Sequence, residues 1–357
     1  MSKVVILGDT HFAVRSGSLL FSDYFEKFYE NVFFPYLKEN NITTVIQTGD
    51  LFDERKRVNN SGLYESRRFF FDKLEKENIT MHVLLGNHDV AYKDTLRVNS
   101  PSLLLKDYSN INIIDSPSTI EIQGKNICFI PWICKENEED CLNELRTSRS
   151  NVCIGHFEIS GFAMYKGIVG HGGMDSSLFD RFEYVFSGHY HHRSTKRNIH
   201  YVGTPYELTW SDFGDPKGFH IFDLDSQKLD FVKNPYKMFN KVYYDDTEES
   251  DVNLIMENFH KNELRNSYAK LVVKNKSNVY LFDKFLEQLE KEEPFDLAII
   301  EDVQDVFTEE MIDIDESEDT LTTIYKFVDI STNKDYDPER VKKILSELYS
   351  EAISIQI

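Results

Sequence analysis

Five segments of this chain end alike: an apolar run, a glycine, then side chains able to hold a metal ion. They are Gly8-Asp9-Thr10-His11, Gly49-Asp50-Leu51-Phe52-Asp53, Gly86-Asn87-His88-Asp89, Gly155-His156 and Gly188-His189-Tyr190-His191. A single Gly-Asp is ordinary turn chemistry. Repeated at five strand ends it marks a site, because open α/β sheets place their chemistry where strands stop. Asp9, His11, Asp50, Asn87, His156, His189 and His191 offer carboxylate, imidazole and amide donors and no thiolate. That mixture suits Mn, Fe or Zn and disfavours calcium, which takes oxygens only. Seven donors are too many for one ion and match two, with one carboxylate shared. Two ions about 3.5–4 Å apart can clamp a phosphate and lower the pKa of a bridging water from about 15.7 toward 7. The product is a hydroxide aimed at phosphorus, so no Ser or Cys nucleophile is required. His88 adjoins Asn87 and is the candidate proton donor to the leaving alkoxide, with Asp89 expected to hold its imidazole.

The elements that must position these residues follow from hydrophobic periodicity. Strand 3–7, a helix near 22–39, strand 44–48, a helix near 61–77 and strand 81–85 give βαβαβ, hence a parallel sheet with right-handed crossovers. Short strands are expected at 111–114, 119–122 and 126–130, then a helix near 136–147 and strand 151–154. From 184 to 233 short strands alternate with turns at Gly203-Thr204-Pro205 and Gly214-Asp215-Pro216. The order predicts an α/β fold in which two mixed sheets form a sandwich flanked by helices. That first domain is expected to span 1–235. A small α/β capping domain should occupy 236–305, with strands 241–244, 268–273 and 295–300 and helices 252–261 and 279–291. An acidic linker and a helical segment fill 306–357. There Leu321, Ile324, Tyr325 and Val328 form one stripe, and Val341, Ile344, Leu345, Leu348, Tyr349 and Ala352 another.

Composition narrows the classes. No apolar run approaches the roughly 20 residues of a membrane span. The start Met1-Ser2-Lys3 runs straight into a strand, so no secretory signal is expected. Cys128, Cys134, Cys141 and Cys153 form no CxxC pair, which predicts reduced, buried thiols and a cytoplasmic protein. A net charge of −21 sits poorly with phosphate binding. Over half of it, however, comes from residues 292–319, with thirteen acidic residues and no Lys or Arg. Local basic clusters remain at Arg55-Lys56-Arg57, Arg67-Arg68 and Arg193 with Lys196-Arg197. Two of these follow metal loops, where a phosphate-bearing substrate would pass. His192 is not expected to be a ligand, and His171 is the weakest site candidate.

The five motifs, in this order and spacing, resemble those of the calcineurin-like metallophosphoesterase superfamily and span residues 1 to about 235. Within it the chain looks like the SbcD-type DNA nuclease subunits of repair and recombination, most of all those of T-even-like phages. Ile130-Pro131-Trp132, Tyr201-Val202-Gly203-Thr204-Pro205 and the C-terminal helix pair carry that narrower likeness. The resemblance implies that Asp9, His11 and His191 hold one ion and Asn87, His156 and His189 the other, with Asp50 bridging. It further implies manganese as the working metal, with magnesium the alternative, and double-strand exonuclease and single-strand endonuclease activity. A homodimer acting on DNA with an SbcC-type coiled-coil ATPase follows too, in the host cytoplasm if phage-encoded. One departure stands out: many cellular relatives carry His three residues after the bridging aspartate, where this chain has Asp53. The alternative is a phosphatase or phosphodiesterase for small molecules or phosphoproteins. The phosphoprotein version resembles families with Gly-Asp-x-Val-Asp-Arg-Gly and Gly-Asn-His-Glu, where this chain has Leu51-Phe52-Asp53-Glu54 and Asp89 instead. A scaffold that has lost its chemistry would show a degraded ligand set, and here every position is filled.

Overall fold

The computed structural model describes residues 2–165, 168–169, 173–247, 264–301, 328, 338 and 340–345. The helix expected at 252–261, most of the acidic run, most of the two C-terminal stripes and His171 lie outside them. The described residues fall into two units, one of Met1–Asn240 with Asn266–Tyr268, the other taken from Lys241–Arg265 and Ala269 onward.

In the first unit β1 (Lys3–Leu7), β2 (Thr44–Gln47), β3 (Thr80–Leu84) and β4 (Ile111–Ile114) run parallel. The expected βαβαβ order is therefore present. The second sheet takes β5 (Ser118–Ile122), β6 (Lys125–Ile130), β7 (Val152–His156), β8 (Tyr184–Gly188), β9 (Ser194–Lys196) and β10 (Ile199–Tyr201). Two later strands, β11 (Gly218–Asp223) and β12 (Leu229–Lys233), return to the first sheet, whose order is β12-β11-β1-β2-β3-β4. The second reads β9-β10-β8-β7-β6-β5. Strands β6, β7, β8 and β10 are parallel, while antiparallel strands close the edges. Both sheets are thus mixed, as the short-strand pattern predicts.

Alternation assigns the faces. Along β1, Val5 and Leu7 join the layer of helices on one side, whereas Val4 and Ile6 join the core between the sheets. The outer layer is aromatic. The helix that begins at Leu19–Phe28 continues through a π-helical turn, Tyr29–Phe33, to Phe34–Glu39. Pro35 has no N–H to return to the turn before it, and the wider turn accommodates its ring. A second helix starts at Asn60–Ser66, capped by the Asn59 side chain, and carries Phe69, Phe70 and Phe71, all buried, through another π turn. Arg68 ties the two helices through Glu26 and pairs with Glu65 on its own helix, while Arg67 Nε donates to the Tyr108 hydroxyl.

Three histidines, His82, His200 and His220, lie among the rings between the sheets, and burial lowers all three. For His220, burial comes first and Arg193 adds to it, taking the imidazole down to about 3. The unfolded chain protonates this ring below about 6.5, the folded one only near its lowered value. Its neutral burial therefore contributes fully above the unfolded pKa and is lost as pH falls through the window between them. We expect His220→Leu to remove up to about 2 kcal/mol of the stability lost between pH 6.5 and 5. Urea unfolding of both proteins at the two pH values measures this; identical acid dependence would refute it.

The second unit takes β13 (Phe239–Asp245) from Lys241 on, β14 (Tyr268–Asn275) from Ala269 on and β15 (Asp296–Ile300) in one sheet, with helix α1 (Val279–Glu290) supplying Leu281, Phe282, Phe285 and Leu289 to its core. Asn278 caps that helix by accepting from the Leu281 N–H, and Asp246 gathers the N–H groups of Ser277 and Asn278.

Candidate metal centre

The carboxyl ends of β1, β2, β3, β7 and β8 bring all seven expected donors together. Asp9, His11, Asp50, Asn87 and His156 are buried. His11 (φ 43°), Asp50 (φ 54°) and His189 (φ 86°) adopt left-handed backbone, a conformation uncommon for non-glycine residues. Gly49 combines a φ of 105° with close approach, since a Cβ there would lie 2.4 Å from His156 Nδ1. A Cβ on Gly188 would lie 2.4 Å from Asp9 Oδ1. Gly49, Gly86 and Gly188 thus each make room for a donor of another motif, whereas Gly8 lies against the Gly203 carbonyl and Gly155 against the Phe157 ring.

Two groups of donor atoms form around Asp50. In the first, His11 Nε2 and His191 Nε2 face each other at 3.0 Å, with Asp9 beside them. In the second, Asn87 Oδ1 lies 2.9 Å from both His156 Nε2 and His189 Nδ1. Asp50 Oδ2 stands between, 3.3 Å from His156 Nε2 and 4.0 Å from His11 Nε2. Its other oxygen accepts the His88 N–H at 2.7 Å.

These atoms fit divalent cations better than they fit one another. His156 Nδ1 donates to the Thr48 carbonyl at 2.9 Å, so its Nε2 lone pair points at two acceptor oxygens. Asp9 Oδ1 is buried with no hydrogen-bond partner. Acceptors converging in this way need a proton or a cation among them. The electrostatics agree. Burial opposes charge on His11, but the hydrogen bond and charge of Asp53, then Asp50 and Asp9, raise it to about 10. His156 rises to about 9 against its burial, through Asp50 and Asp9. Burial pushes Asp9 up to about 6, whereas the surrounding His156, His88 and His11 overcome burial to hold Asp50 well below the carboxylate range. A metal ion competes with these protons, so binding it releases them.

One expected role is corrected. Asp89 does not hold the His88 imidazole. Its carboxylate accepts the backbone N–H groups of Leu51 at 3.0 Å, Phe52 at 3.2 Å and Gly86 at 2.9 Å. It therefore staples the β2 loop to the β3 loop, a task three donors fit better than one ring. His88 Nδ1 instead meets the Asp53 carbonyl. His192 pairs with Asp215 at 2.9 Å. Of the basic clusters, Arg57 pairs with Glu54, Arg197 with Asp180, and Arg193 lies over the Phe231 ring.

The motif reading missed two contributors. The Trp132 ring, half-buried, stands 5.3 Å from that of His189 and 5.9 Å from that of His156. It follows β6 without a glycine-ligand signature; only its place after Ile130-Pro131 hinted at importance. Lys217, 4% exposed, lies between Asp212 and Asp215 and donates to the His191 carbonyl at 2.9 Å. No local pattern announced it.

Two mixed sheets whose strand ends gather two groups of metal-grade donors fit the metallophosphoesterase class. Residues 2–193 match the calcineurin-like phosphoesterase family, and the chain belongs to it: a hydrolase working with divalent metal ions. Over 246 residues it is 35% identical to exonuclease subunit 1 of Enterobacteria phage T4, covering 68% of this chain and 70% of that protein. It is 28% identical over 200 residues to the DNA double-strand break repair protein Mre11 of Methanocaldococcus jannaschii, spanning about half of each, 52%. The four cysteines are free and buried, and among the described residues no helix is long and apolar enough to cross a membrane.

Proposed function

We propose that this chain is the metal-dependent nuclease subunit of a DNA end-processing assembly. Its substrate is the DNA phosphodiester, cut exonucleolytically in duplexes and endonucleolytically in single strands, in recombination and repair. Its working ions are Mn²⁺, its location is the cytoplasm, and its partners are a second copy and an SbcC-type coiled-coil ATPase bound through the C-terminal segment. The observation that carries the reading is the pair of donor groups on either side of Asp50, in a chain similar to two DNA-processing proteins. Domains 1–235, 236–305 and 306–357 then serve catalysis, substrate capping and ATPase docking.

Asp9, His11 and His191 would hold one ion and Asn87, His156 and His189 the other, with Asp50 shared. Bound there, divalent ions supply Lewis acidity at the phosphate and acidify a water. The chain's own residues do the rest. Thr48 fixes the His156 tautomer, and the Asp89 staple fixes the two loops that carry Asp50 and Asn87. The Asp53 carbonyl takes the Nδ1 proton of His88, which assigns proton donation to Nε2, on the ring 4.8 Å from that of His11. We expect His88→Ala to lower turnover about 100-fold and to leave two ions bound. Loss of metal in that variant would make His88 a ligand.

Release of labelled nucleotides from linear duplex DNA in Mn²⁺, with a chromogenic phosphodiester alongside, tests the function. Degradation of DNA supports the proposal. Cleavage of the small diester alone, unchanged by added ATPase, would make this a small-molecule phosphodiesterase.

A further inference from the structure

The nuclease reading uses Asp53 only through its carbonyl and leaves its carboxylate without a task, yet the residue touches two members of the centre. Its carboxylate Oδ1 lies 3.1 Å from His11 Nδ1, while its carbonyl meets His88 Nδ1. The approach is built by the backbone. Thr10 and His11 both donate to the Asp50 carbonyl at 3.1 Å, Phe12 donates to that of Leu51 at 2.9 Å, and Asp53 donates to that of Phe12 at 3.1 Å. Phe12 and Phe52 form a parallel bridge within this ladder, both rings fully buried. The loops after β1 and β2 are thus zipped in register, and the zipper sets the Asp53 side chain against His11. Asp53 itself keeps 26% of its side chain exposed, so the contact comes from the register and not from crowding.

We propose that Asp53 is the positioning residue of the Asp9/His11/His191 ion. Its carboxylate, in ion-pair reach of His11 Nδ1 at 3.1 Å, favours the proton on that nitrogen and leaves Nε2, the nitrogen facing His191, for the metal. A carboxylate behind a ligating imidazole fixes the tautomer and ring orientation and makes the ring a better donor, and its loss typically lowers metal affinity 10–100-fold. The same residue orders His88 through its carbonyl, which no side-chain substitution removes. Substitution at Asp53 therefore separates ion binding from proton donation. The inference rests on the metal-centre reading above, and the test separates the two.

Mn²⁺ is titrated calorimetrically into the full chain carrying one intact donor group at a time. In an Asn87→Ala background, where the Asp9/His11/His191 group is intact, adding Asp53→Ala should weaken Mn²⁺ binding about 10–100-fold. Asp53→Asn should weaken it no more than about threefold, because the amide oxygen still favours the proton on Nδ1. In a His191→Ala background, which leaves the Asn87/His156/His189 group, neither change should alter affinity beyond about twofold, the scale of a residue with no contact to that ion. Equal losses in both backgrounds, no loss in either, or Asn behaving as Ala would each overturn the proposal. Failure of the unsubstituted chain to bind Mn²⁺ would instead remove the metal-centre reading, and this inference with it. Melting temperatures matching the parent show that the variants fold.

Discussion

Asp50→Asn is expected to lower DNA hydrolysis at least about 1000-fold, roughly 4 kcal/mol of transition-state stabilisation, in a protein that stays folded. Asp50 Oδ2 is the atom between the two donor groups, and a neutral amide there removes the charge that both ions would share. An amide NH₂ in that position also points a donor at the cations. The fold should tolerate the change for three reasons. Asparagine suits left-handed backbone, and Asp50 has φ 54°. The remaining amide oxygen can still accept the His88 N–H, and the volume is unchanged. Nucleotide release by variant and wild type, read beside their melting curves, gives the answer. Retained activity would end the site assignment, and an unfolded variant would show that the charge also holds the loops.

Lys217→Met should destabilise the first unit by about 3–5 kcal/mol, the usual effect of removing one partner from a buried ion cluster. Burial works against charge on Lys217, but Asp212 and Asp215 outweigh it and raise the amine above its ordinary value. Those carboxylates are only 4% and 5% exposed. Methionine keeps the length and loses the charge, leaving both acids facing each other and the His191 carbonyl without this donor. Asp212 meanwhile continues to accept the N–H groups of Leu208 at 2.8 Å and Thr209 at 3.1 Å, so the turn itself should survive. Urea unfolding at neutral pH measures the loss. A change below about 1 kcal/mol would place the cluster in the class of exposed pairs with little net effect. Because the lysine holds the backbone of a metal donor, Mn²⁺ affinity should fall as well.

Family and layer order were legible in the amino-acid sequence because each is written locally. A run such as Val4-Val5-Ile6-Leu7 alternates between two cores, and the glycine after it announces that the chain must pass close to something. Five such endings identified seven donors, and the structure brings all seven together. The second unit's strands and helix α1 followed from the same periodicity. What tertiary structure decided was which side chain answers which. His11 meets His191 across 180 residues, Lys217 meets the His191 carbonyl across 26, and Trp132 reaches the two imidazoles from a neighbouring strand end. Asp89 adjoins His88 in the chain, yet it serves the N–H groups of Leu51 and Phe52, close to 40 residues away. Adjacent residues on a tight turn point in different directions, so proximity in sequence was a poor guide to the partner of His88. That partner, the Asp53 carbonyl, is a backbone atom carried by every residue type. Side-chain identity marks what a position can do; the register of the two zipped loops determines whom it does it with.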